Sequence, residues 1–178
     1  MSVPAAGRTP SWNAPDATRR VVVGIGEMAI AGGADDVLVT YGLGSCVAVC
    51  LFDPSARVAA MLHFLLPEAR INAKRATEQP AAFADTGIPL LLEAAAQHGL
   101  KKNRVRVRLV GGAEVANTPG GPLATGRRNI LAARSVLWRY GLFIDTQDVG
   151  GVSARTVHLT ARDGRLLVFS GREQIKEI

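Results

Sequence analysis

Two apolar runs, Val47 to Phe52 and Val58 to Leu66, stand on either side of Asp53-Pro54-Ser55-Ala56 and constrain this chain more than any other stretch. Apolar runs of strand length, separated by residues that bond back to their own backbone or preset a turn dihedral, predict a β-hairpin. In an antiparallel pair the turn fixes which residues face each other. A turn centred between Pro54 and Ser55 sets Cys46 opposite His63, with Cβ atoms about 4.5 to 5.5 Å apart. A turn one residue longer sets His63 opposite Val47 instead.

The first register brings a thiol to an imidazole. An imidazolium lowers the pKa of a neighbouring thiol and populates the thiolate, which is the reactive form. The Gly42-Leu43-Gly44-Ser45 loop before Cys46 leaves backbone N–H groups near the sulfur with little side-chain bulk, as an oxyanion site needs; Gly44 and Ser45 are its candidate residues. Thr40 lies on the same segment, where its hydroxyl could accept a hydrogen bond from the second imidazole nitrogen. Together these make a nucleophile, base and orienter set of the acyl-transfer kind. A free cysteine also behaves as a small apolar core residue, and a strand histidine as a satisfied interior one, so spacing alone leaves both roles open.

The string T-Y-G-L-G-S-C-V-A-V from Thr40, with F-D-P and M-L-H-F-L-L-P after it, resembles the signature of the CheD family, the chemoreceptor glutamine deamidases of bacterial and archaeal chemotaxis. The resemblance continues in order through F-A-D-T-G-I-P-L-L-L-E, L-V-G-G-A, R-N-I-L-A, and D-V-G-G followed by Arg155, covering roughly Val21 to Ser170. It implies that Cys46, His63 and Thr40 are the catalytic residues. The implied activity is hydrolysis of specific glutamine side chains to glutamate in chemoreceptor (methyl-accepting chemotaxis protein) cytoplasmic domains, by a cysteine-histidine thioester mechanism that needs no metal or organic cofactor. The resemblance further implies an architecture similar to the cytotoxic necrotizing factor-type deamidases, a CheC-type phosphatase as partner, and in some members action on receptor methyl esters. The alternative is a non-catalytic binding module regulating chemoreceptors or a CheC-type phosphatase; a cysteine peptidase would share the dyad and differ in substrate.

With 178 residues, 48% of them hydrophobic, one compact domain with a substantial core is expected. No apolar run reaches the ~18 to 20 residues that span a bilayer, and the first twenty residues lack the apolar region of a leader, so a cytoplasmic protein is expected. Cys46 and Cys50 on one strand lie about 13 Å apart, too far for a disulfide; free thiols fit a reducing compartment. The net charge of +6 raises nucleic acid as a partner. Its strongest basic stretch alternates, however, with Arg104, Arg106 and Arg108 on one face and Val105, Val107 and Leu109 on the other, the pattern of a half-buried strand with a solvated face. Two Trp, two Tyr and five Phe offer few stacking platforms, and no reader motif is present, so no nucleic-acid role is expected.

In chain order, residues 1–20 hold Pro4, Pro10 and Pro15 without hydrophobic period and read as a flexible tail; residues 21–178 read as a single domain. Gly24, Gly26 and Ala29 match a relaxed dinucleotide fingerprint, but Gly32-Gly33 follows too soon for the helix that motif needs. Strands are expected from Arg20 and from Asp36 to Tyr41, then the hairpin, then a polar loop from Glu68 to Gln79. A helix follows from Phe83 to His98, started or kinked by Pro89 and capped by Gly99. After a strand from Val105 to Val110 and a loop from Glu114 to Gly126 comes a second helix, Arg127 to Tyr140, capped by Thr125 and ended by Gly141. A strand from Leu142 to Val149 precedes a hairpin of Thr156 to Thr160 with Leu166 to Ser170 across Asp163-Gly164. The three histidines and two cysteines show no metal spacing. The pattern gives an α+β fold, a strand-rich layered or sandwich domain with two main helices.

Overall fold

The computed structural model describes residues 19–114, 125–171 and 173–178. The expected tail therefore lies outside the described residues except for Arg19 and Arg20, which already belong to the first strand, and most of the expected 114–126 loop lies outside them too. In chain order the elements are β1 (Arg19–Val22), β2 (Glu27–Ala31), β3 (Asp36–Leu43), β4 (Val47–Asp53), β5 (Val58–Phe64), α1 (Ala73–Glu78), α2 (Ala84–Gln97), β6 (Arg106–Gly111), α3 (Thr125–Arg139), β7 (Thr146–Val149), β8 (Arg155–Thr160), β9 (Leu166–Ser170) and β10 (Glu173–Glu177). The strands form two five-stranded sheets, one ordered β1-β3-β8-β9-β10 and the other β2-β5-β4-β6-β7. The fold is α+β, with α2 and α3 as its main helices.

The hairpin β4–β5 occupies the middle of the second sheet and is buried on both faces, every one of its strand residues being buried. Alternation sorts those residues into two cores. Val47, Val49, Leu51, Ala60, Leu62 and Phe64 pack against α2 and α3, through Ile88, Leu91, Ala133 and Leu137 among others. Cys46, Ala48, Cys50, Phe52, Ala59 and Met61 point the other way and meet Leu38, Val157, Leu159 and Val168 of the first sheet. The layers are therefore sheet, sheet, helices.

The turn differs from its expected form. Asp53 pairs with Val58, so Pro54 to Arg57 form a four-residue loop centred between Ser55 and Ala56. Its closure is held by one carboxylate. Asp53 Oδ1 accepts from the N–H groups of Ser55 and Ala56 at 2.9 and 3.0 Å, Oδ2 accepts from the Lys101 N–H at 2.9 Å, and Arg104 Nε reaches both oxygens at 2.8 Å. Burial pushes the Asp53 pKa up, but Arg104 and these N–H groups outweigh it and hold the carboxyl well below its usual range. Moving the turn centre by one residue moves the register by two. His63 accordingly faces Ala48, not Cys46 or Val47.

Two strands that carry no sequence signal complete the sheets. Strand β2 pairs antiparallel with β5, setting Glu27 beside His63, and β10 pairs with β9 as an exposed, polar edge. Strand β7 is shorter than expected, because Leu142 leaves Gly141 to enter the helix-side core. Pro89 lies inside α2, in its second turn, and does not open it. The solvated face expected for β6 fails at Arg108, whose guanidinium is buried between the sheets and donates to the carbonyls of Gly164 and Ile178 at 2.6 and 2.9 Å. The first sheet covers that face from Arg108 onward, so β6 is buried on both sides there, while Arg106 at its start stays exposed as expected.

Removing the Asp53 carboxylate leaves four donors without their acceptor in a closed turn. Asp53→Ala is expected to cost about 2 to 4 kcal/mol of stability, read by urea unfolding. A loss smaller than about 0.5 kcal/mol, the size of an ordinary surface change, would show that the carboxylate does not set the turn.

Candidate active site

Cys46 is the last residue before β4, and its side chain enters the inter-sheet core with 6% of its surface exposed. His63, at the end of β5, is fully buried and lies on the same face, since its partner Ala48 is two residues beyond Cys46. The two are thus diagonal neighbours across the hairpin, a relation that places Cα atoms about 7 to 8 Å apart and leaves long side chains within reach. A register shift of two preserves the face; a shift of one would have put them on opposite sides of the sheet.

Thr40 comes from the other sheet. Its hydroxyl donates to the Val23 carbonyl at 2.7 Å and lies 2.7 Å from His63 Nδ1. A hydroxyl has one proton, and Val23 takes it, so Oγ1 must accept at its contact with the ring. Nδ1 therefore carries the hydrogen and Nε2 keeps a lone pair in the neutral ring. Nε2 is buried and has no hydrogen-bond partner among the described residues. Burial lowers the His63 pKa to about 4, against weaker opposition from the Val23 backbone and from Glu27. Burial likewise raises the Cys46 pKa, opposed by its own backbone N–H and by the charge of Arg75. Both shifts run toward the neutral forms of the two groups, against the thiolate-imidazolium pair expected from the sequence.

The loop before the cysteine is fixed through its carbonyls. Ala113 N–H donates to Gly44 O and Gly112 N–H to Cys46 O, both at 2.7 Å, while Asn129 Nδ2 donates to Ser45 O at 2.8 Å. Gly44 spends its own N–H on the Gly42 carbonyl, which leaves the N–H groups of Ser45 and Cys46 as the loop's candidate oxyanion donors. Close approach demands glycine here: Gly111 has φ of 112°, and a Cβ on it would collide with the Cys46 carbonyl.

The polar segment after β5 is an ordered brace and not a plain loop. Gln79 donates to the carbonyls of Ile25 and Gly26 at 3.1 and 3.3 Å and accepts from Arg75 of α1, which brings the Arg75 charge near the thiol. Among the described residues no group of three His, Cys, Asp or Glu side chains could hold a metal ion, and no helix is long and apolar enough to cross a membrane.

A family model described as CheD chemotactic sensory transduction matches residues 65–170. The chemoreceptor glutamine deamidase CheD of Thermotoga maritima is 40% identical over 161 residues, covering 88% of this chain and 98% of the relative. A probable chemoreceptor glutamine deamidase, CheD 2 of Anaeromyxobacter dehalogenans, is 43% identical over 151 residues, covering 85% and 94%. The chain belongs to the CheD family.

The family model begins at Leu65, just past His63, whereas the relative from Solibacter usitatus, a probable chemoreceptor glutamine deamidase CheD, is 38% identical over 87% of the chain, a span that takes in the hairpin. Within this CheD-family fold the structure brings Thr40, His63 and Cys46 to one inter-sheet layer from three different strands or strand ends. Sequence reasoning placed Arg75 and Gln79 only in a polar segment after the histidine strand and gave Asn129 no role of its own. A signal existed for Asn129 alone: it interrupts the otherwise apolar buried stripe of α3 formed by Gly126, Ile130, Ala133, Val136 and Leu137.

The neutral His63 has a consequence for stability. An unfolded histidine titrates near pH 6.5, so between about pH 6.5 and the folded value of about 4 the unfolded chain binds a proton that folded His63 refuses, and stability falls as pH falls through that window. His158, also lowered to about 4 by burial and by Arg20, adds to the same trend. Urea unfolding is expected to give a lower stability at pH 5 than at pH 7, with part of the difference removed in His158→Phe. Nitrogen chemical shifts are expected to place the His63 proton on Nδ1; a proton on Nε2 at neutral pH would refute the assignment made through Thr40.

Proposed function

We propose that this protein hydrolyses specific glutamine side chains to glutamate in chemoreceptor cytoplasmic domains, with Cys46 as nucleophile, His63 as general base and acid, and Thr40 as the residue that orients the ring. One observation carries the reading: the hydrogen-bonded series Val23 carbonyl, Thr40 hydroxyl, His63 Nδ1 leaves a buried Nε2 lone pair on the same sheet face as a cysteine. Membership in the CheD family and the deamidase names of the relatives supply the substrate class.

Neutral partners suit a proton transfer timed to substrate arrival. As Sγ attacks the carboxamide carbon, Nε2 takes the thiol proton and the carbonyl π electrons move to oxygen. The N–H groups of Ser45 and Cys46 then face the developing oxyanion, a contribution of about 10² to 10³ in kcat per donor in comparable enzymes. The imidazolium returns its proton to the departing nitrogen, ammonia leaves, and a thioester remains. Water then adds with Nε2 again taking a proton, and collapse yields glutamate with the thiol restored. The contact between thiol and Nε2 that this requires tightens in the substrate complex, as such contacts often do. On the family resemblance alone the proposal extends to the cytotoxic necrotizing factor-type architecture and to a CheC-type phosphatase as a second partner.

A raised cysteine pKa and an unengaged Nε2 favour a second reading, a binding module without chemistry. Mass spectrometry of receptor cytoplasmic fragments incubated with wild type and Cys46→Ser separates the two. Amide-to-acid conversion by wild type only is the expected result. Equal conversion by both removes Cys46 from the mechanism, chain cleavage points to a peptidase, and binding without conversion supports the module. For active enzyme kcat/KM is expected to be flat between about pH 5.5 and 7.5, with no limb at the ordinary histidine value near 6.5.

A further inference from the structure

We infer that Asn129 is a positioning residue of the deamidation site, holding the Ser45–Cys46 peptide plane so that the Cys46 N–H is aimed at the oxyanion; the inference rests on the reading proposed above. The side chain of Asn129 is fully buried in the first turns of α3. Its Nδ2 donates at 2.8 Å to the carbonyl of Ser45 and at 2.8 Å to the carbonyl of Leu65. One amide nitrogen thereby ties the residue before the nucleophile to a residue just beyond the base.

Planarity turns this tie into a direction. The peptide bonds are trans, and in a trans unit the N–H points opposite to the C=O. With the Ser45 carbonyl drawn toward α3, the Cys46 N–H of the same unit must point away from α3. The cysteine's own N–H is in fact among the groups that stabilise its thiolate, so it lies close to the sulfur. The neighbouring units are fixed as well, through Gly44 O and Cys46 O, but by backbone donors of Ala113 and Gly112. The unit that presents the Cys46 N–H is the one whose orientation depends on a side chain.

Two further features fit a donor-only role. Asn129 Oδ1 is buried without a partner among the described residues, so both bonds of this amide run through its nitrogen. Access comes from the glycine three residues earlier: a Cβ on Gly126 would collide with the Gly112 carbonyl, and without one the start of α3 lies against the loop, one turn before Asn129.

Asn129→Leu keeps much of the size and removes the donor. Its deamidation of receptor fragments is expected to show kcat lower by about 10- to 100-fold, with KM within about three-fold, because an oxyanion contact acts in the transition state and not on bound substrate. Alkylation of Cys46 by iodoacetamide proceeds by displacement at a saturated carbon and develops no oxyanion at the loop; it feels the loop only through the N–H beside the sulfur, so its rate is expected to fall by no more than about three-fold, far less than kcat. Asn129→Ala carries the same test should the leucine variant fail to fold. A kcat within two-fold of wild type overturns the proposal, as does an alkylation rate that falls in step with kcat, which would mark a general collapse of the site. Wild type that converts no glutamine would instead sink the deamidase reading and this inference with it.

Discussion

A neutral imidazole buried between two sheets must place its N–H on an acceptor, and the hydroxyl of Thr40 is that acceptor. The bond joins β3 of one sheet to β5 of the other, and its geometry is closed by the Val23 carbonyl, which consumes the hydroxyl proton. Without it a ring donor and a backbone carbonyl would both be stranded in an apolar layer, each at a cost of about 1 to 3 kcal/mol. With it, the tautomer is decided and the free nitrogen of the ring is directed into the face that carries Cys46. The rest of the site depends on this one bond.

The same burial that makes the bond strong shifts both titrating groups toward neutrality, the thiol upward and the imidazole downward. A preformed ion pair would require two charges in the layer between the sheets, where desolvation opposes each of them. A neutral pair avoids that cost. Rigidity is supplied from outside the pair. Gly111 and Gly112 let β6 close on the cysteine carbonyl, Asn129 holds the preceding one, and the brace through Arg75 and Gln79 ties the segment after β5 to the β1–β2 turn.

The hairpin, both main helices and the candidate residues Thr40, Cys46 and His63 were legible because each rests on a local rule: apolar runs of strand length, turn residues between them, helical spacing with a glycine at its end. Strands β2 and β10 were not, since Met28 and Ile30 in one and Ile175 in the other give too little alternation to distinguish an edge strand from a loop. Arg108 misled for a related reason. Alternation of charged and apolar residues reports two different faces, and whether the charged one meets water depends on what packs over it.

The sequence by itself determined which residue types stand beside the turn and, through the two-residue period of a strand, that cysteine and histidine could share a face. The register was decided by tertiary structure, because Lys101 and Arg104, some fifty residues away, join the turn's own N–H groups in closing Asp53 into a longer turn than Asp-Pro-Ser alone suggests. So were the ring tautomer, set by a hydroxyl from the opposite sheet, and the fixed peptide before Cys46, set by an asparagine on a distant helix. Each of these rests on a hydrogen bond between parts of the chain that meet only when the two sheets and the helix layer close, and no local pattern encodes such a meeting.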